Sequence, residues 1–273
     1  MMPITILDGP LGTELFARGI DTPAPLWSAA ALTSHPEAVA AIHREHAMAG
    51  ATVHTANTFR TTRRAAGTRW ESLVYRAVSL ARSALPIGHR LAGSIAPLED
   101  CYSPERSPLQ PGAEHALLAD ALVAAGCDLL LCETFPHVGE ALAAVDAAAS
   151  TGAEVWVSFT AGYKADLLTP DEIAAGARQA VKKGASTVLV NCIPARETLR
   201  YLRPLADLGV PFGAYANAGH PDDGLGWGPT EQGPACYADI AQTWVDIGAT
   251  VIGSCCGTSP RTTAALAARF LAP

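Results

Sequence analysis

The feature of this 273-residue sequence that most limits its fold is an eightfold alternation of short apolar runs with longer helical stretches. The runs lie at residues 4–8, 52–57, 90–95, 128–133, 154–159, 187–191, 211–215 and 250–253. Leu129-Leu130-Leu131 and Val188-Leu189-Val190 carry no polar break, as suits parallel strands covered on both faces. The stretches between them have recognisable ends. Ser34-His35-Pro36-Glu37 and Thr169-Pro170-Asp171-Glu172 each offer a hydroxyl N-cap with Glu three residues on, the second with Pro at the first helical position. Pro111 opens and Gly126 closes a third helix, and Ser259-Pro260 opens the last. Eight strand–helix units at this length predict an α/β chain forming a single (β/α)8 TIM barrel over residues 1–273. An open doubly wound sheet would need a G-x-G-x-x-G turn after the first strand, and Gly9-Pro10-Leu11-Gly12 lacks that spacing.

Composition narrows the partners. Apolar residues make up 49% and charged residues 16%, ample for a core and contrary to disorder. The net charge of −7, with no cluster of Lys and Arg, argues against nucleic acid and anionic membranes, which both bind through dense positive charge. Asp120 and Asp128 interrupt the longest apolar run, so no segment offers the ~18 apolar residues of a membrane span. No basic residue precedes Arg18, unlike a secretory signal. Seven cysteines are an odd number spread thinly, which favours a reducing cytoplasm over a disulfide framework. No dimerisation segment follows the eighth helix, and a homo-oligomer stays open.

Barrel sites lie at the C-terminal ends of the strands. The polar residues expected there are Asp8, Asn57-Thr58-Phe59, Glu133-Thr134, Asn191-Cys192, Asn217 and Cys255-Cys256. Strands six and eight flank strand seven, so Cys192, Cys255 and Cys256 converge on one rim. Clustered thiols point to a soft or borderline metal, zinc being the usual one. Neighbouring residues in a strand face opposite sides. Cys255 and Cys256 can therefore share an ion only where the chain leaves strand geometry, which Gly253 and Gly257 permit. Cys101, Cys127, Cys132 and Cys236 read as small buried hydrophobes. Three protein ligands leave tetrahedral zinc one open position, the mark of a catalytic site. Three thiolates give such a centre a formal charge of about −1, which suits it to holding a substrate thiolate rather than polarising a carbonyl. The chemistry suggested is alkyl transfer to that sulfur.

Several dispersed stretches resemble the homocysteine S-methyltransferase family. They are Leu7-Asp8-Gly9-Pro10-Leu11-Gly12-Thr13, Ala56-Asn57-Thr58-Phe59, Gly93-Ser94-Ile95-Ala96-Pro97, Glu133-Thr134-Phe135-Pro136, Asn191-Cys192, Tyr215-Ala216-Asn217-Ala218-Gly219 and Gly253-Ser254-Cys255-Cys256-Gly257-Thr258. The resemblance implies a (β/α)8 barrel and zinc held by Cys192, Cys255 and Cys256, with homocysteine sulfur in the fourth place. It implies that Asn217 occupies or orders that place without substrate, and that Asp8 and Glu133 face the amino group of homocysteine. Paired carboxylates suit an ammonium by charge and hydrogen bonding. Asn57 and Thr58 are weaker substrate-binding candidates that serve equally as turn formers. Two departures stand out. Pro10 replaces a Gly of the family's Asp-Gly-Gly and removes an N–H. Ser254 replaces a Gly of Gly-Gly-Cys-Cys and adds a side chain beside the metal.

Family members take methyl groups from S-methylmethionine, betaine or, in larger enzymes, methylfolate through cobalamin. This length leaves no room for folate or cobalamin domains, so a free sulfonium or quaternary ammonium is expected, S-methylmethionine or S-adenosylmethionine before betaine. Aromatic faces bind such cations, and Phe59, Phe135, Tyr163, Tyr215 and Trp227 are candidates, Trp227 as part of a loop covering the donor. Two other readings compete. A metal-assisted hydrolase on the same barrel would need His and carboxylate ligands, yet neither His54 nor His137 stands at ligand spacing with another His. Rim carboxylates beside an open coordination position weigh against a non-catalytic zinc- or thiol-binding protein, which stays open as an alternative.

Overall fold

The eight apolar runs form eight parallel strands of one sheet: β1 Thr5–Ile6, β2 Val53–Thr55, β3 Arg90–Ile95, β4 Leu129–Phe135, β5 Glu154–Phe159, β6 Ala185–Pro194, β7 Phe212–Asn217 and β8 Val251–Ser254. They are seen in a computed structural model that describes residues 3–218 and 233–271. The strand order is β1-β8-β7-β6-β5-β4-β3-β2. Its two ends meet where Leu7 bridges Val53, flanked by the Thr52 N–H donating to the Ile6 carbonyl (2.9 Å) and the Asp8 N–H to the Val53 carbonyl (3.0 Å). With helices between successive strands, this is the expected TIM barrel.

Strand periodicity divides the apolar residues into two layers. Leu7, Val53, Leu129, Leu131, Leu189 and Val251 fill the barrel, while Ile6, Leu130, Val188, Val190 and Ile252 face the helices. Small residues let the layers close. A Cβ on Gly213 would lie 1.7 Å from the Val251 carbonyl oxygen, so only glycine permits the β7–β8 approach. Thr169 caps the Pro170–Lys182 helix with the full reciprocal capping box. Gly126, left-handed at φ 99°, ends the Gly112–Ala125 helix. Ser34 does not cap its helix. Its hydroxyl donates to the Ala30 carbonyl and closes the preceding turn, and His35 stands at the cap position of the Pro36–Met48 helix. Among the described residues no helix is long and apolar enough to cross a membrane.

β4, β6, β7 and β8 overrun their expected ends, and the departures in β4 and β6, which carry register shifts, shape the barrel mouth. β4 and β6 shift register between Cys132 and Phe135 and between Asn191 and Pro194. Thr134 (φ 62°) and Cys192 (φ 52°) adopt left-handed backbone there. Such conformations cost about 1–3 kcal/mol each for residues with a side chain and need outside support.

Candidate active site

The strand ends enclose a cavity of about 480 Å³, with Cys192, Cys255 and Cys256 on one wall and Asp8 and Glu133 on another. The left-handed turn at Cys192 takes its thiol out of strand alternation and into the mouth. The Cys192 and Cys255 sulfurs lie 3.1 Å apart, those of Cys255 and Cys256 4.0 Å apart, and all three within 4.8 Å of one another. The segment after β8 has left strand geometry, as neighbouring cysteines on one site require. The Cys255 N–H donates to the Ala216 carbonyl and the Ala218 N–H to that of Cys256, both at 2.8 Å. Tyr237 buttresses this corner, its hydroxyl accepting from the Ala216 N–H and lying 2.9 Å from the Gly253 carbonyl.

Crowding sets the thiol chemistry. Hydrogen bonds from Cys192 and Cys255 hold the Cys256 thiol well below the usual range, while its neighbours and burial push Cys192 up. Burial, with a smaller push from neighbouring acidic groups, takes Cys101 and Cys127 up to about 12 and Cys132 further. Three thiols thus form a set that gives up a first proton readily, and these other three are inert. Cys101 differs from its expected role in one respect, since it also lines the cavity.

Asn191 supports both strained turns. Its side-chain oxygen accepts from the Thr134 N–H (3.2 Å) and the Ser158 hydroxyl (2.7 Å), and its amide N–H donates to Thr134 Oγ1 (2.7 Å). Replacing it with leucine strands these buried partners at about 1–3 kcal/mol each. Asn191→Leu is therefore expected to lose about 2–4 kcal/mol, read as a lower urea midpoint at unchanged slope.

Two buried carboxylates line the same cavity. Glu133 accepts from the Ser94 hydroxyl (2.5 Å) and the Tyr215 hydroxyl (2.9 Å), and burial raises its pKa despite both. Asp8 accepts from the Thr55 N–H (2.9 Å), and burial lifts it from 3.8 to about 8. A carboxyl raised on folding stabilises the fold below its unfolded pKa and loses that contribution as pH rises through the folded value. Without substrate, stability should fall between about pH 4 and pH 8 more steeply in the wild type than in Asp8→Asn, as urea titrations across that range would show. Equal slopes would contradict it.

Asn217, fully buried at the end of β7 between β6 and β8, has no hydrogen-bond partner for either amide atom among the described residues. Asn57 lines the cavity with its amide held by Ser28. Thr58 does not reach the cavity, because its hydroxyl exchanges hydrogen bonds with the Ser94 backbone and pins β2 to β3. Among the aromatic candidates, Phe59 and Tyr215 line the cavity, though the Tyr215 hydroxyl is committed to Glu133. Phe135 is a correction, buried outside the barrel against His115. Tyr163 is another, sitting edge-on behind Tyr102, whose ring is the one on the wall. Trp227 lies outside the described residues. Trp27 and Tyr102, which strand-end reasoning missed, complete the aromatic wall. Ser254 Oγ accepts from Thr258, so the departure there is absorbed locally. Pro10 stands on the cavity wall. His137 caps the Val138–Ala149 helix, and His54 turns outward from the barrel, so neither imidazole lines the cavity.

The pattern of the family described as Homocysteine S-methyltransferase matches residues 5–270. The homocysteine S-methyltransferase of Escherichia coli (strain K12) is 33% identical over 97% of this chain and 95% of its own length. That of Bacillus subtilis (strain 168) is 28% identical over 97% and 94%. Among solved structures, the metallated form of the homocysteine methyltransferase MmuM from Escherichia coli superposes with a TM-score of 0.82 at 27% identity, covering 98% of this chain and 96% of that one. A full-length match, the same barrel and a three-cysteine rim converge: the chain belongs to the homocysteine S-methyltransferase family.

Proposed function

We propose that the protein methylates homocysteine to methionine from a free sulfonium or quaternary ammonium donor, with zinc held by Cys192, Cys255 and Cys256. The observation that carries this reading is the meeting, in one cavity, of three clustered thiols and a buried carboxylate pair, with the orphaned amide of Asn217 at the adjoining end of β7. The residues present fit the ion, since three sulfurs supply a catalytic ligand set and Asn217 offers a light-atom ligand on the same rim. When bound, zinc supplies a Lewis-acid centre that keeps a substrate thiol ionised at neutral pH.

The chain's own residues position the reactants. Glu133, oriented by Ser94 and Tyr215, and Asp8, oriented by the Thr55 N–H, face the substrate ammonium across a site that disfavours their charge until it arrives. Asn57 borders the same space. Arg60 already lies over the Trp27 and Phe59 rings, at 4.1 and 5.4 Å from their centroids. Tyr102 is therefore the better cavity ring for a donor cation. Methyl transfer between soft centres needs alignment more than a general base, so rigid placement carries most of the rate. Thiols kept available in this way suit a reducing cytoplasm.

Purified protein would be incubated with homocysteine and, separately, S-methylmethionine, S-adenosylmethionine and betaine. Methionine is expected with a sulfonium donor, and betaine is the alternative. No methionine with any donor would overturn the proposal.

A further inference from the structure

Behind the carboxylates lies a histidine cluster that methyl transfer does not use. His54, on β2, turns outward and meets the inner face of the Pro36–Met48 helix, which carries His43 and His46 three residues apart and therefore on one face. All three imidazoles are buried. His43 Nε2, His46 Nε2 and His54 Nδ1 have no hydrogen-bond partner among the described residues. Burial holds their pKa values down at about 4, 4 and 3, so each is neutral with a lone pair available. Asp8 closes the group, its Oδ2 3.8 Å from His54 Nδ1. One ligand atom each from Asp8, His43 and His54 lies within 4.8 Å of the others.

We infer that Asp8, His43 and His54 form a second metal site, distinct from the cysteine rim but sharing Asp8 with the homocysteine pocket of the proposed function, for a borderline divalent ion such as Zn²⁺ or Co²⁺. Two imidazoles and a carboxylate are the donors such ions take. Ligand atoms around a tetrahedral ion stand about 3.3 Å apart, so closing from 4.8 Å needs only small side-chain shifts. The outer shell is in place. His54 Nε2 is 3.0 Å from His89 Nδ1, and with Nε2 as the donor the Nδ1 lone pair is left for the site. His46 Nδ1 is 2.9 Å from Thr263 Oγ1. Gly9 gives His46 its room, since a Cβ there would lie 2.5 Å from the ring. Asp8 lines the cavity and provides the way in. Buried nitrogens without partners are costly, and an ion bound here satisfies two of the three while tying β1, β2 and the Pro36–Met48 helix together.

The test removes the first site. A Cys192→Ala/Cys255→Ala/Cys256→Ala variant would be titrated with Co²⁺ and followed by its visible spectrum and its Tm. The expected result is about one equivalent of cobalt bound, without the near-ultraviolet sulfur-to-cobalt band, together with a higher Tm. Adding His54→Gln, or in a separate variant His43→Gln, should abolish both effects. No cobalt bound, or binding that survives both histidine replacements, would overturn the inference. Should either histidine variant fail to fold, hyperfine-shifted imidazole resonances in the cobalt-loaded cysteine variant decide: two histidines support the site, and none contradicts it. Failure here leaves the methyltransferase reading untouched, because the cysteine ligands are absent throughout.

Discussion

Cys192→Ala is expected to lose its bound metal and at least about four orders of magnitude in kcat/KM, equivalent to about 5.4 kcal/mol of transition-state stabilisation. The size of the effect follows from the site's construction. Cys192 sits on a left-handed turn whose cost is tolerated because it brings one sulfur 3.1 Å from that of Cys255. Two remaining thiols cannot complete the ligand set, and no other cysteine can substitute. Cys132 is buried on the helix-facing side of β4, and burial holds the Cys101 thiol protonated. Cys101→Ala serves as the control, since it removes a thiol from the same cavity and should keep its metal. Metal analysis and methionine formation read both variants, and a Cys192→Ala protein with a full complement of metal would contradict the assignment.

The second large effect is expected at Glu133. Glu133→Gln keeps the volume and one acceptor oxygen, offers an amide N–H to whichever of the Ser94 and Tyr215 hydroxyls must then accept, and removes the charge. A charge-assisted contact to an ammonium in a buried site contributes about 2–3 kcal/mol, so KM for homocysteine should rise about 30- to 150-fold. Metal content and KM for the methyl donor should stay near wild type. A donor KM that rose instead, with homocysteine unaffected, would place Glu133 in the other half of the cavity. Glu133→Ala is the less informative change, because it leaves two buried hydroxyls unpaired and mixes destabilisation with lost binding.

The sequence made the barrel legible because each parallel strand is covered on both faces, which writes apolar runs such as Leu129-Leu130-Leu131 that local patterning cannot hide. It also made the strand-end polar residues legible, since a barrel has one functional face. What it concealed depends on partners distant in the chain. The overrun of β4 and β6 comes from register shifts held by Asn191, whose partners Thr134 and Ser158 are 57 and 33 residues away. Ser94 and Tyr215 gain their roles only once β3 and β7 face Glu133 across the barrel. Phe135 and Thr58 show the opposite failure, as strand-end residues whose side chains turn away from the mouth. Trp27 and Tyr102 belong to no strand end and reach the cavity from connecting segments. The histidine cluster escaped because its spacing rule spans two elements. His43 follows a helical face and His54 the outward phase of a strand, and neither period reveals the other.

The central claim is that three sulfurs from β6 and the β8 end hold one ion and leave a place for a fourth. X-ray absorption at the zinc edge, with and without homocysteine, tests it most directly. The account predicts three sulfurs and one light atom in the free enzyme, changing to four sulfurs when homocysteine is added. Fewer than three sulfurs in the free enzyme, or a coordination sphere that homocysteine leaves unchanged, would contradict it.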